Sequence, residues 1–347
     1  MKIVSIDVHS EWSQLTALSE ETGEVLLEMK VRTDPAELHR VVGGLPGPKK
    51  VLFEEGPMSG LIRDALEGVA DEVVSCDPTK NALIARSEHS TDELDARRLG
   101  LLCRAGVIHP VYVPAEPYRT LRSLVRYDHH LARSITRVMN TLKAALRRQG
   151  IPVRGKGIYR QAGRKSVLAN APNFAVRWQW ESLYRHLDWL RRERVGAHRV
   201  LVRQCRGMPV TQRLRTIPGV GPIAARTIVA WLVEPGRFKS RKALSSYGGL
   251  GLGQGFTNWT ATGRARASRR GQRELKRALF LAAHAASRGD SALGRRYQAR
   301  LHCGWEHRKA IRDIARTILF IAKALWITGK EYDDTKVNVP RSEPVAR

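Results

Sequence analysis

Cysteine is scarce in this chain. Its 347 residues hold four (Cys76, Cys103, Cys205, Cys303), no two of them spaced as a CxxC pair. That spacing excludes a zinc ribbon and reads as reduced thiols in a cytoplasm. Cys303 with His302 and His307 lacks the second ligand pair a structural zinc site needs. Long apolar runs are also missing: the longest stretches fall far short of the ~20 residues of a membrane span. The N-terminus has no contiguous apolar segment of the secretory type. The expectation is a cytoplasmic protein with no membrane partner. No Gly-x-Gly-x-x-Gly follows the first apolar run, which argues against a dinucleotide-binding fold.

Acid is missing from most of the chain but not from its start. Residues 1–100 carry 11 Lys and Arg against 19 Asp and Glu, whereas the other 247 residues carry 49 against 14. With a pI near 10.8, that asymmetry points to a polyanion, nucleic acid, held by the C-terminal two-thirds. An Arg-rich proteome would make the whole chain basic, and the first hundred residues escape the bias.

Four acids in that first region stand out. Asp7 lies inside the apolar run Lys2-Ile-Val-Ser-Ile-Asp-Val8, and Glu54 ends another, Lys50-Val-Leu-Phe-Glu-Glu55. Asp92 and Asp95 are spaced i,i+3 in Ser90-Thr-Asp-Glu-Leu-Asp-Ala96, on one face of an opening helix. An acid in a strand interior is costly unless a cation meets it. Lys or Arg can serve, but two strands and a helix converging four carboxylates is how a protein holds paired divalent metals. Ser90 to Glu93 also reads as a capping box, which explains Asp92 through the helix dipole but not Asp95 or Asp7.

The pattern predicts strands at 2–8, 13–18, 25–32, 50–55 and 72–77, with helices at about 35–43 and 59–69 between them. Three strands followed by alternating helices and strands is the order of an α/β ribonuclease H-like fold. Residues 115–150 then place Leu121, Leu124, Leu131, Ile135, Val138 and Leu142 on heptad positions, with Asp128 breaking the seam. A second helix, about 176–206, places Leu183, Leu187, Leu190 and Leu201 on one seam. Together they read as a coiled-coil arm, folded on itself or pairing with another subunit, or else as a bundle packed on a domain. Pro218-Gly-Val-Gly-Pro222 before an Ala-rich helix is a helix-hairpin-helix signature. The glycines Gly219 and Gly221 permit its turn, and the backbone N–H groups there can hold a DNA phosphate. Downstream, Thr262-Gly-Arg-Ala-Arg-Ala-Ser-Arg-Arg-Gly271 reads as a flexible basic loop. Its Arg264, Arg266, Arg269 and Arg270 add salt-dependent affinity. Helices at 273–287 and 307–328 follow, then a polar tail over 335–347.

These motifs, in this order, resemble the DEDD-type insertion-sequence transposases, the family that includes pilin-gene invertases and bridge-RNA-guided recombinases. The resemblance rests on Ile6-Asp7-Val8, Phe53-Glu54-Glu55-Gly56 and Thr91-Asp-Glu-Leu-Asp-Ala-Arg97. It continues through Ile217-Pro-Gly-Val-Gly221, Tyr247-Gly-Gly-Leu250 and Ser268-Arg-Arg-Gly-Gln-Arg-Glu-Leu275. It implies a RuvC-like catalytic domain over 1–112, a helical coiled-coil linker arm over 113–210 and a helix-hairpin-helix transposase domain over 211–290. A C-terminal helix and polar tail occupy 291–347. Asp7, Glu54, Asp92 and Asp95 become a tetrad for Mg²⁺ or Mn²⁺. Alternation along a strand lets only one of Glu54 and Glu55 face the site, and Glu54, the first acid after the apolar run, is the choice.

The implied activity is cutting and rejoining DNA as a dimer or tetramer, with a structured guide RNA as a second polyanion partner that the sequence neither shows nor excludes. One departure stands out. The family's nucleophilic serine is missing from Gly251-Leu-Gly-Gln-Gly-Phe-Thr-Asn-Trp-Thr260, where Thr257 stands near its place. Two other readings follow: a metal-dependent, structure-selective nuclease that uses water, and a DNA-binding protein that has lost strand transfer.

Overall fold

The computed structural model describes residues 1–84, 91–153, 155–257, 260–267 and 271–340, with the backbone alone for 82–84, 253–257 and 260–267. The chain divides into two compact units, Met1–Ala115 and Glu116–Arg347. The arm expected over 113–210 and the domain expected over 211–290 both fall in the second.

The first unit opens with three strands, β1 (Lys2–Val8), β2 (Trp12–Ser19) and β3 (Val25–Arg32), paired antiparallel. Then come α1 (Pro35–Gly43), β4 (Lys49–Glu54), α2 (Ser59–Leu66), β5 (Glu72–Cys76), α3 (Pro78–Ile84), α4 (Asp92–Arg104) and the two-residue β6 (Pro110–Val111). The mixed sheet runs β3-β2-β1-β4-β5-β6, with β4 parallel to β1 and β5 parallel to β4. The period-2 alternation of the central strands sorts their side chains onto two faces. Val4, Ile6, Val51 and Phe53 join Leu38 and Val42 of α1 and Ile62 and Leu66 of α2 in one core. Ile3, Leu52, Val74 and Cys76 join Leu99 of α4 in the other. Helix α4 sits close to the sheet because residue 100 is glycine. A Cβ there would lie 2.7 Å from Leu18 Cδ1 and 3.0 Å from Ser5 Oγ.

The second unit is helical apart from one hairpin. Helix α5 (Tyr118–Arg148) leads through α6 (Gln161–Ala169) to α7 (Phe174–Gln204). The two long helices pack on each other through Leu131, Val138, Leu142, Trp180 and Leu187. The remainder is α8 (Val210–Arg215), α9 (Pro222–Leu232), α10 (Arg241–Tyr247), β7 (Leu252–Thr257), β8 (Thr260–Ala267), α11 (Arg273–Ala286), α12 (Ala292–His302) and α13 (His307–Thr328). Ile228, Trp231, Leu279, Ile314 and Ile318 centre a second core, which Leu121 and Leu201 from the arm helices also enter. No helix among the described residues is long and apolar enough to cross a membrane.

Two expectations are corrected. Residues 262–267 are not a flexible loop but part of β8, paired antiparallel with β7. Their alternation of small residues with Thr or Arg is a strand's period, masked in the sequence by glycine. The cap of α4 is also shifted by one. Thr91 adopts extended N-cap geometry, and its hydroxyl accepts from the Leu94 N–H at 3.4 Å. Ser90 itself lies outside the described residues.

Candidate functional site

Alternation decides which acids can meet. Asp7 follows Ile3 and Ser5 along one side of β1, and Glu54 follows Leu52 along the same side of β4. Ile6 pairs with Phe53, so Asp7 and Glu54 are neighbours one step on, at the carboxyl ends of parallel strands, where α/β sheets place ligands. The face they share is the one α4 covers. Ala96, Leu99 and Gly100 are the buried side of that helix, and Asp92 and Asp95 lie one turn earlier on it. Glu55 lies past the end of β4, its N–H bonded to the Cys76 carbonyl.

A residue outside the sequence-derived set joins them. His9 Nε2 lies 3.2 Å from Asp7 Oδ2 and 3.3 Å from Asp92 Oδ1. One ligand atom from each of Asp7, His9 and Asp92 falls within 4.8 Å of the others. The signal was present in Ile6-Asp7-Val8-His9, since two residues along a strand return to the same face. Glu54 and Asp95 lie outside that three-residue cluster. Glu54 Oε1 accepts from Asn81 Nδ2 of α3 at 3.4 Å, and Asp95 pairs with Arg98 at 3.2 Å.

The electrostatics are those of crowded acids. Burial pushes the Asp7 carboxyl above the ordinary range; His9 offsets part of this, and Asp92 and Asp95 raise it again. Burial raises Glu54 as well, with the Asn81 amide opposing it and Asp7, Asp95 and Asp77 adding to it. Among the described residues, His9 is the only ion-pair partner of Asp7. Three or four carboxylates with one imidazole and no Lys or Arg on Asp7 form a donor set that suits a hard divalent cation.

The other sequence-derived positions lie in the second unit. Gly219 has φ 81°, and a Cβ there would run into the Ala282 carbonyl of α11, so packing alone demands glycine. Gly221 is the N-cap of α9, which has no side-chain cap. A cleft of about 290 Å³ opens there, lined among others by Asp128, His129, Arg194, Gly219, Gly221 and Arg277. Thr257 is the last residue of β7, paired with Thr260, and Arg264 and Arg266 lie on β8. For these three residues the structure describes backbone only, and Arg269 and Arg270 lie outside the described residues.

Comparison with known proteins defines the class first. Residues 4–150, which carry the acidic site, match the DEDD transposase domain of IS110 type. Residues 211–298 match the domain described as transposase IS116/IS110/IS902 family. The chain belongs to the IS110-type DEDD transposases. An uncharacterized 43.6 kDa protein of insertion element IS110 from Streptomyces coelicolor is 30% identical over 36% of this chain. A Sinorhizobium fredii protein named "Putative transposase y4qE" is 24% identical over 70% of it. The matched stretches span 31% and 61% of those relatives' own lengths.

Proposed function

We propose that this protein is a DNA transposase or recombinase that cuts and rejoins strands with a divalent metal, Mg²⁺ or Mn²⁺, held by Asp7, Glu54, Asp92 and Asp95. The observation that carries the reading is Asp7, half-buried at the end of a central strand and facing other acids, with no Lys or Arg among the described residues paired to it. The strand order, three antiparallel strands followed by two parallel ones, supports a ribonuclease H-like, RuvC-like domain. These carboxylates would hold a divalent ion whose charge would serve to polarise the scissile phosphate, activate the attacking oxygen and stabilise the leaving one. The chain's own part is to converge carboxylate oxygens from β1, β4 and α4. The Asn81 amide holds Glu54 on the shared face.

In the second unit, helices α8 and α9 around the Pro218–Pro222 turn support a helix-hairpin-helix. The uncapped N–H groups of α9, beside Arg194 and Arg277, suit a DNA phosphate. Arg264 and Arg266, with Arg269 and Arg270, add sequence-independent affinity. The packed pair α5 and α7 supports an arm of coiled-coil type. Assembly as a dimer or tetramer and a guide RNA as second partner belong to the same proposal. Thr257 is the proposed nucleophile in place of the missing serine: its hydroxyl would give up its proton and bond to phosphorus while the bond from phosphorus to one deoxyribose oxygen breaks, that oxygen leaving protonated as a free hydroxyl end.

The test is full-length protein with Mg²⁺ and DNA carrying the element's ends, run on a denaturing gel with and without protease. A protease-sensitive, protein-linked band that Thr257→Val abolishes and Thr257→Ser preserves supports covalent recombination through that residue. Free cut ends with Thr257→Val unaffected favour hydrolysis by water, the reading that the serine-free stretch Gly251–Thr260 keeps alive. Binding without any cleavage sinks both.

A further inference from the structure

We infer that His9 is a metal ligand and that its nitrogen biases the centre toward Mn²⁺ over Mg²⁺. This rests on the metal reading above and adds a residue and a specificity to it. The Nε2 atom lies 3.2 Å from Asp7 Oδ2 and 3.3 Å from Asp92 Oδ1. A hexacoordinate ion with bonds of about 2.1 Å separates adjacent ligand atoms by about 3 Å and opposite ones by about 4.2 Å. The three atoms, all within 4.8 Å of one another, therefore already stand at the spacing of ligands to a single ion.

Hydrogen bonding alone accounts for the arrangement poorly. An imidazole Nε2 carries at most one N–H, so it points well at one carboxylate and poorly at the other. The acids come from different elements, β1 and α4, and among the described residues neither is ion-paired with Lys or Arg. Placed between them, a dipositive ion takes one oxygen from each and the lone pair of Nε2, satisfying three groups at once. The donor set also carries a preference. Oxygen ligands suit Mg²⁺ and Mn²⁺ alike, whereas imidazole suits first-row transition ions better. A site of carboxylates alone lacks that bias.

The experiment is Mn²⁺ titration of the full-length protein by electron paramagnetic resonance, with pulsed detection of ¹⁴N coupling to the bound ion and competition by Mg²⁺. Wild type should bind Mn²⁺ with ¹⁴N coupling. In His9→Ala the coupling should vanish, and Mn²⁺ affinity should fall about 10-fold or more while Mg²⁺ affinity falls less. In His9→Asp an oxygen donor should restore binding with the preference moved toward Mg²⁺. Bound Mn²⁺ without ¹⁴N coupling in wild type overturns the inference, as does coupling that persists in His9→Ala. If Asp7→Asn abolishes Mn²⁺ binding in that case, the metal reading stands without His9. No Mn²⁺ binding at all by wild type overturns both.

Discussion

The two units each draw an aspartate at least partly out of solvent and treat it in opposite ways. Asp128 on α5 is 1% exposed, and accepts from Arg194 Nε at 2.9 Å and from His198 Nε2 at 2.7 Å. Burial alone would raise its pKa, but the Arg194 hydrogen bond and charge, with His198, hold the carboxyl below the ordinary range. Asp7 on β1 has, among the described residues, only His9 as a partner, and it stays above that range. In the basic unit the chain supplies a guanidinium as counter-charge; in the acidic unit the described residues place only an imidazole beside Asp7. A half-buried acid whose neighbours are further acids gains from a cation outside the chain, and that contrast is why Asp7, and not Asp128, carries the proposed function.

Exchanging the two residues' fates is the sharpest way to break the comparison. Asp7→Asn should lower DNA cleavage by at least about 10³-fold, the loss of roughly 4 kcal/mol of charge stabilisation in the transition state. DNA affinity in gel shifts should stay level or rise slightly. Asp128→Asn should leave cleavage near wild type wherever the helical unit is folded. Near-normal cleavage by Asp7→Asn at saturating Mg²⁺ would remove this residue from the site.

The converse holds for stability. Asp128→Ala leaves Arg194 and His198 without their buried partner, and should cost the helical unit about 3 kcal/mol, the low end for a broken buried pair because both partners are about one-third exposed. The sign with pH follows from the depressed carboxyl. Its contribution is fully present above the unfolded-state value, near the ordinary ~3.9, and is lost as pH falls through the folded one. Hydrogen exchange at the α5 and α7 amides should therefore show the gap between wild type and Asp128→Ala shrinking on acidification below that range. A gap that stays constant with pH would assign the loss to packing instead.

How much of this was legible in the sequence varies with the physics behind each element. β3, α1 and α13 fall where periodicity puts them, because each has one apolar face and clear ends, and β1 falls where its short apolar run, buried on both faces, puts it. The convergence of Asp7 with Glu54 follows from alternation once the strands are parallel. His9 was missed because it sits one residue past β1, where composition says turn while geometry still follows the strand. The β7–β8 hairpin was missed because its small residues carry no hydrophobic signal, and α12 because Arg and Gly interrupt its apolar face. Asp128 read as a break in the heptad seam. Its partners are 66 and 70 residues away, a separation that no local pattern reveals.

The smallest expected effect tests the same contrast from the stability side. A carboxyl whose folded pKa is raised contributes stability below its unfolded value and loses it as pH rises through the folded one, so ionised Asp7 and Glu54 weigh against the fold near neutrality. Asparagine is nearly isosteric with aspartate and carries no charge. In chelator at neutral pH, Asp7→Asn should therefore stabilise the first unit by up to about 1 kcal/mol, within the ordinary range of single substitutions. The gain should shrink as pH is lowered into the carboxylate range, where wild-type Asp7 is itself neutral. Saturating Mn²⁺ should reverse the order, since an ion that binds only the folded wild type stabilises it by mass action. A melting temperature alone does not report on one of two units, so the readout is hydrogen exchange at the β1 and β4 amides. Slower exchange in Asp7→Asn without metal, and faster exchange than wild type with it, is the expected crossing. Parallel behaviour in both conditions would mean that Asp7 is held in the fold as Asp128 is, by partners the chain already provides.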